Sequence, residues 1–226
     1  MDRLLANIKI NVNEKIYIKN PDSTDLGKRI LSHSIDLIDE IGFEKFNFKK
    51  LGSRIGSNES SVYRYFENKH KLLLFLTSWY WGWMEYRLVF STNAMNSPQE
   101  RLQKAIEVIC DIIQEDSSFS HINEVKLSRI IISEYSKSYL TKEVDEQNKE
   151  GYFEIYKRLI IRLSEMIIAV NKDYGHPKSL ASTIVEGTLH QHFLKQHFPI
   201  ITDCTSDKAT TNFFSDVVFK VLKNNE

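Results

Sequence analysis

From Leu26 onward, apolar residues recur at intervals of three and four, the spacing of one helical face. Ile30, Leu31, Ile35, Leu37, Ile38 and Ile41 form a first stripe, and Gly42 follows where a helix C-terminus favours glycine. Asn47 is placed to cap a short second helix carrying Phe48, Leu51 and Ile55, after which Gly56 breaks the chain. Asn58 caps a third helix, and Asn68 caps a fourth, predicted from Lys69 to about Phe90. Ser97-Pro98 opens a helix to about Asp116, and another is predicted over about His121 to Ser138. A long helix starts near Lys142 and carries Tyr152, Ile155, Tyr156, Leu159, Leu163, Met166, Ile167 and Val170. Pro177 opens the next, which ends near His197, and the last runs from about Asp207 to Leu222. Before Leu26 the pattern changes. Ile8, Ile10, Val12, Ile16 and Ile18 alternate with polar residues as in a strand, so residues 1–23 are expected to be either a disordered arm or a short extended segment. The expected fold class is all-α, with a three-helix module over 24–72 and a larger helical domain over 73–226.

Charge sharpens this division. The chain is neutral, with 30 basic and 30 acidic residues among 226, which excludes a protein coated in basic surface. Yet from Lys45 to Lys71 seven basic side chains stand against two acidic ones, Glu59 and Glu67, a local excess of five. A site-specific DNA binder needs a local basic patch of this kind.

Candidate chemistry elsewhere is sparse. No apolar run approaches the ~20 residues of a membrane span, and the N-terminus lacks the apolar core of a signal peptide, so a cytoplasmic protein is expected. Cys110 and Cys204 match no metal or redox spacing. His190, His192 and His197 are separated by two, five and seven residues, which does not give the one-turn pair of a helical metal site. No nucleophile–base pairing, paired carboxylates or glycine-rich phosphate loop appears, so neither catalysis, a cofactor nor a metal is expected.

The third helix is built for a groove. Val62 and Phe66 lie four apart and are expected to face inward with Leu51 and Ile55. Ser60, Ser61, Arg64 and the edges of Tyr63 and Tyr65 then point outward. Small hydroxyls admit close approach to a major groove, arginine reaches guanine, and tyrosine hydroxyls bond phosphate. Gly52 removes a side chain where the second and third helices must cross. The helix N-termini near Asn47 and Lys69 offer free backbone N–H groups to phosphate oxygens.

Over Leu26 to Leu73 the chain resembles the TetR family of bacterial transcriptional regulators. The matching positions are Ile30, Leu31, Gly42-Phe43, Leu51-Gly52 in place of the usual Ile-Ala, Gly56, and Val62-Tyr63-Arg64-Tyr65-Phe66 followed by Asn68-Lys69 and Leu72. The resemblance implies that Asn47, Tyr63 and Lys69 hold phosphates of a double-stranded operator, with Ser60, Ser61, Arg64 and Tyr65 nearest the bases. Lys49 and Asn58 complete the expected DNA-contacting set. Two departures stand out: Glu59 opens the recognition helix where a basic or neutral residue is commoner, and Ser57 replaces the usual valine in the turn.

For residues 73–226 the resemblance implies a domain for effector binding and dimerisation. Trp79, Trp83 and Tyr86 on the aromatic fourth helix, with Tyr152, Tyr156 and Met166, are the expected lining of a pocket for a small, apolar effector. Ile184, Gly187 and Phe193, with Phe214, Val217, Val218 and Val221 on the last helix, are the expected homodimer interface. Dimerisation also has a physical motive, because one short helix reads few bases and two copies about 34–36 Å apart read a usable site. The expected function is thus a ligand-modulated, DNA-binding repressor; the alternative is a regulator on the same scaffold controlled by a protein partner.

Overall fold

Polar side chains start most of the helices by accepting from a backbone N–H two or three residues on. The computed structural model describes residues 10–114 and 121–223, and among these every regular element is helical. Thr24 caps α1 (Asp25–Ile41), Asn47 caps α2 (Phe48–Arg54) and Asn58 caps α3 (Glu59–Tyr63). Asn68 accepts from Lys71 N at 2.9 Å as α4 (Lys69–Thr92) begins. Ser97 caps α5 (Pro98–Cys110) and Asn123 caps α6 (Glu124–Glu134). Then come α7 (Ser136–Tyr139), α8 (Val144–Lys149), α9 (Glu154–Val170), α10 (Pro177–His197) and α11 (Ala209–Leu222). No helix among the described residues is long and apolar enough to cross a membrane.

The described residues up to Gly82, together with Ile113–Glu154, form one unit; Trp83–Ile112 and the residues from Ile155 onward form a second. In the first unit Ile30, Leu31 and Ile35 of α1 are fully buried, as are Leu51, Val62, Phe66 and Leu72. Ion pairs bind α6 and α7 to α1 and the loop after it: Lys126 to Asp36, Arg129 to Asp39 through two nitrogens (2.8 and 2.6 Å) and Lys137 to Glu44; before α6, His121 Nε2 lies 2.9 Å from Asp22 Oδ1 in the turn that precedes α1. In the second unit Trp83, Leu102, Ile106, Leu159, Leu163, Ile184 and Val218 form the core.

Three expectations are corrected. Residues 10–23 do not form a strand. Asn13 and Asn20 each fold back on the backbone two residues ahead and start 3-10 turns at Glu14–Ile16 and Pro21–Ser23. Ile10, Val12 and Ile16 are buried in this segment while Ile18 is exposed; Ile8 lies outside the described residues. The helix expected from Lys142 is two helices. Gly151, at φ +82°, ends α8 in a Schellman motif, with Gly151 N donating to Asn148 O and Tyr152 N to Gln147 O, each at 3.1 Å. The helix expected to reach Asp116 stops at Cys110, because Asp111 turns extended and accepts from Lys208 Nζ (2.6 Å) and Thr211 Oγ1 (2.7 Å).

Candidate nucleic-acid interface

A five-residue helix has no independent stability, so α3 must be oriented by what it buries. Val62 is fully enclosed, and Phe66 just beyond the helix sets its ring 5.6 Å from Phe75 in a T-shaped contact. Gly52 lets α2 cross the start of α3: a Cβ there would lie 2.9 Å from Asn58 C and 3.0 Å from Glu59 N. Gly56 makes the turn between the helices at φ +64°, a conformation that L side chains rarely adopt. The Arg29 guanidinium donates to Ile55 O, tying that turn to α1; nothing in the sequence pattern announces this long-range contact.

These supports leave one polar face outward. Ser60 and Arg64 are exposed, and Tyr63 is 46% exposed with its ring edge on Phe48 at 5.0 Å. Ser61 is half-buried, its hydroxyl 2.9 Å from Asn58 Oδ1. Asn47 and Asn58 are both engaged as helix caps, so each presents a fixed N-terminal turn and not a free side chain. Lys49 is exposed on α2, beside Lys45 and Lys50, whose Nζ donates to Lys45 O. Lys69 Nζ donates to Phe43 O (3.1 Å) and Glu44 O (3.3 Å) over the Phe43 ring, holding the start of α4 to the loop after α1. Arg54 is paired through two nitrogens with Glu40 at 2.6 Å, and this contact holds the Glu40 carboxyl below the usual range. The basic surplus around α2 and α3 therefore rests on Lys45, Lys49, Lys50 and Arg64, with Arg54 neutralised locally.

Tyr65 departs from expectation. It is 3% exposed, and its hydroxyl lies 2.7 Å from Thr24 Oγ1, the atom that caps α1 by accepting from Gly27 N. It therefore lies off the exposed face of Ser60 and Arg64, because α3 ends at Tyr63 and the backbone turns the next ring inward. Tyr65→Phe is expected to cost about 0.5–1.5 kcal/mol of stability, read as a lower chemical denaturation midpoint, with DNA affinity of the folded protein unchanged. Lost affinity at unchanged stability would place the hydroxyl on DNA instead.

The expected effector residues are scattered. Trp79 is buried in the first unit, and so is Tyr152, whose ring lies 4.2 Å from Lys71 Nζ and whose hydroxyl donates to Lys15 O. In the second unit Trp83 is buried beneath Arg87, Tyr86 stacks on Phe90, and Tyr156 donates to Glu186 at 2.7 Å. Met166 lines a cleft of about 260 Å³. Of the expected dimer residues, Ile184, Phe214 and Val218 are core of their own chain, and Gly187 admits the Phe214 ring, whose Cζ lies 2.7 Å from where a Cβ would stand. Phe193 and Val217 are half-buried and Val221 is 45% exposed. Two apolar stripes run along α11: that of Phe214, Val218 and Leu222 is buried, while that of Phe213, Val217 and Val221 is at least partly exposed. Periodicity does not say which of two such stripes is the inner one. Cys110 is buried 3.1 Å from Thr188 Oγ1, and burial pushes its thiol up to about 12, so it stays protonated.

The N-terminal helices match a family model described as bacterial regulatory proteins, tetR family, over residues 30–75. That segment, about a fifth of the chain, is similar to the DNA-binding module of the TetR family. A comparison with curated proteins finds no match. Solved structures share the fold of this chain along most of its length. AibR, solved with isovaleryl coenzyme A and operator DNA, is 17% identical, with 84% of this chain and 96% of that one covered at a TM-score of 0.59. A bacterial regulatory protein of the tetR family from Rhodococcus RHA1 is 11% identical over 90% and 100%, with a TM-score of 0.63. The superantigen PfiT is 16% identical over 92% and 100%, with a TM-score of 0.59. One fold thus carries different functions, and for this chain the functional argument rests on its own surface.

Proposed function

We propose that this protein is a homodimeric transcriptional repressor that reads an operator with α3 and releases it when a small molecule occupies the second unit. The observation that carries the reading is the outward face of α3. Ser60, Tyr63 and Arg64 are exposed together on a helix whose opposite side is fully buried, with the lysines of α2 alongside. Such a face suits base edges at its centre and phosphates at its margins. The partly exposed stripe of Phe213, Val217 and Val221 supports pairing of two copies, and the solution of AibR with both a ligand and operator DNA supports the effector half of the reading.

Selection of bound sequences from a random DNA pool, followed by fluorescence anisotropy on the winner, tests the proposal. A palindromic site is expected. Arg64→Ala is expected to weaken binding about 10- to 100-fold and to relax preference at one base pair of each half-site. Lys49→Ala is expected to weaken all sequences alike and to reduce the salt slope by about one per subunit. Enrichment of no sequence would defeat the reading.

A further inference from the structure

The cleft of the second unit is walled by Val89, Met166 and Ala169 and also carries two guanidinium groups, Arg101 on the first turns of α5 and Arg162 on α9. The two arginines differ in how they are satisfied. Arg162 is anchored, donating from Nε to Glu85 Oε1 at 2.7 Å, while Arg158 binds the same carboxylate from both Nε and a terminal nitrogen. Burial by itself would raise the Glu85 carboxyl, but the two arginines outweigh it and hold the group ionised. One carboxylate thus serves two cations. Arg101 has no ion-pair partner among the described residues, and its Nε is enclosed without a hydrogen-bond acceptor. Arg101 is half-buried overall, and a guanidinium carries only donors, so an enclosed N–H without an acceptor costs free energy that an anion in the cleft would offset.

We infer that this cleft is a binding site for a small organic monocarboxylate, with the carboxylate on Arg101 and the hydrocarbon on Val89, Met166 and Ala169. The inference rests on the effector reading above and replaces the expected apolar ligand with an anionic one. Charge favours a monoanion. Among the lining residues Arg101 and Arg162 face one acid, Glu165, and Arg162 already shares Glu85, which leaves about one positive charge to neutralise. A carboxylate matches the paired N–H groups of a guanidinium with two parallel hydrogen bonds. The apolar wall gives such a ligand an advantage that inorganic phosphate lacks.

Calorimetric titration of the 226-residue protein without DNA, using sodium hexanoate, hexanamide and inorganic phosphate, tests the site. Hexanoate is expected to bind, with hexanamide and phosphate weaker by about tenfold or more. Arg101→Gln is expected to lose about tenfold or more of hexanoate affinity while keeping wild-type operator binding. Ala169→Phe, which narrows the cleft and leaves Arg101 in place, is expected to lose hexanoate as well, and it decides the matter if Arg101→Gln folds poorly. No hexanoate binding to the wild type, equal binding of hexanamide, preferred binding of phosphate, or undiminished binding by both variants each overturns the assignment. Operator release is measured separately. Hexanoate that binds through Arg101 without releasing DNA upholds the carboxylate site and overturns the effector reading.

Discussion

Replacing Phe66 by alanine is expected to destabilise the protein by about 3–5 kcal/mol, the range for a large side chain removed from a closed core. Phe66 is 0% exposed, its amide donates to Val62 O at 3.2 Å, and its ring meets Phe75 edge to face at 5.6 Å. The loss is a large share of the roughly 5–15 kcal/mol by which domains are stable. It falls on the residue that, with Val62, fixes the orientation of α3. Guanidinium denaturation should show a clearly lower midpoint, and operator affinity should fall in step with the folded fraction. Phe66→Leu, which refills most of the volume, should recover much of both. An unchanged midpoint for the alanine variant would mean that the module does not depend on this ring.

Gly52→Val is expected to act more locally and to separate folding from DNA reading. Its Cβ would stand 2.9 Å from Asn58 C, 3.0 Å from Glu59 N and 3.2 Å from Asn58 O, all of them backbone atoms that cannot rotate away. Relief requires α2 and the start of α3 to move apart. Overpacking of this kind costs about 1–3 kcal/mol. The larger effect should be on operator binding, with a loss of about tenfold or more at temperatures where the protein remains folded, because the base contacts proposed for α3 depend on where that helix begins. Gly52→Ala should fall between wild type and valine, since both place a Cβ at the crossing and only valine adds further methyl groups. Wild-type operator affinity in the folded valine variant would show that the spacing of α2 and α3 is not what sets DNA reading.

Much of this was legible along the chain. Asn47, Asn58 and Asn68 each mark a helix start, since a cap acts on an amide three residues ahead and needs nothing distant. Val62 and Phe66 were readable from their spacing alone as side chains that face inward, although the helix itself ends at Tyr63 and Phe66 lies just beyond it. Other signals were present and were outweighed by longer-range patterns. The apolar period running from Tyr152 to Val170 masked Gly151, although a glycine after Glu150 is itself a stop signal. The alternation of Ile10, Val12 and Ile16 masked the two asparagines that fold the segment into 3-10 turns.

The amino-acid sequence by itself determined the helical class, most helix starts, the helix–turn–helix and the local excess of basic over acidic residues around it. These follow from interactions between residues within a turn or two of one another, and their hydrogen bonds and spacing are written in adjacent letters. Only the tertiary structure decided that Tyr65 turns inward to Thr24, that Phe214 and Val218 belong to the core of their own chain, and that Arg101 Nε is enclosed without an acceptor while Arg158 and Arg162 share Glu85. Each of these depends on which distant residue arrives beside it. A tyrosine, an apolar stripe and an arginine look the same along the chain whether their partners are a hydroxyl, a neighbouring helix or an empty space.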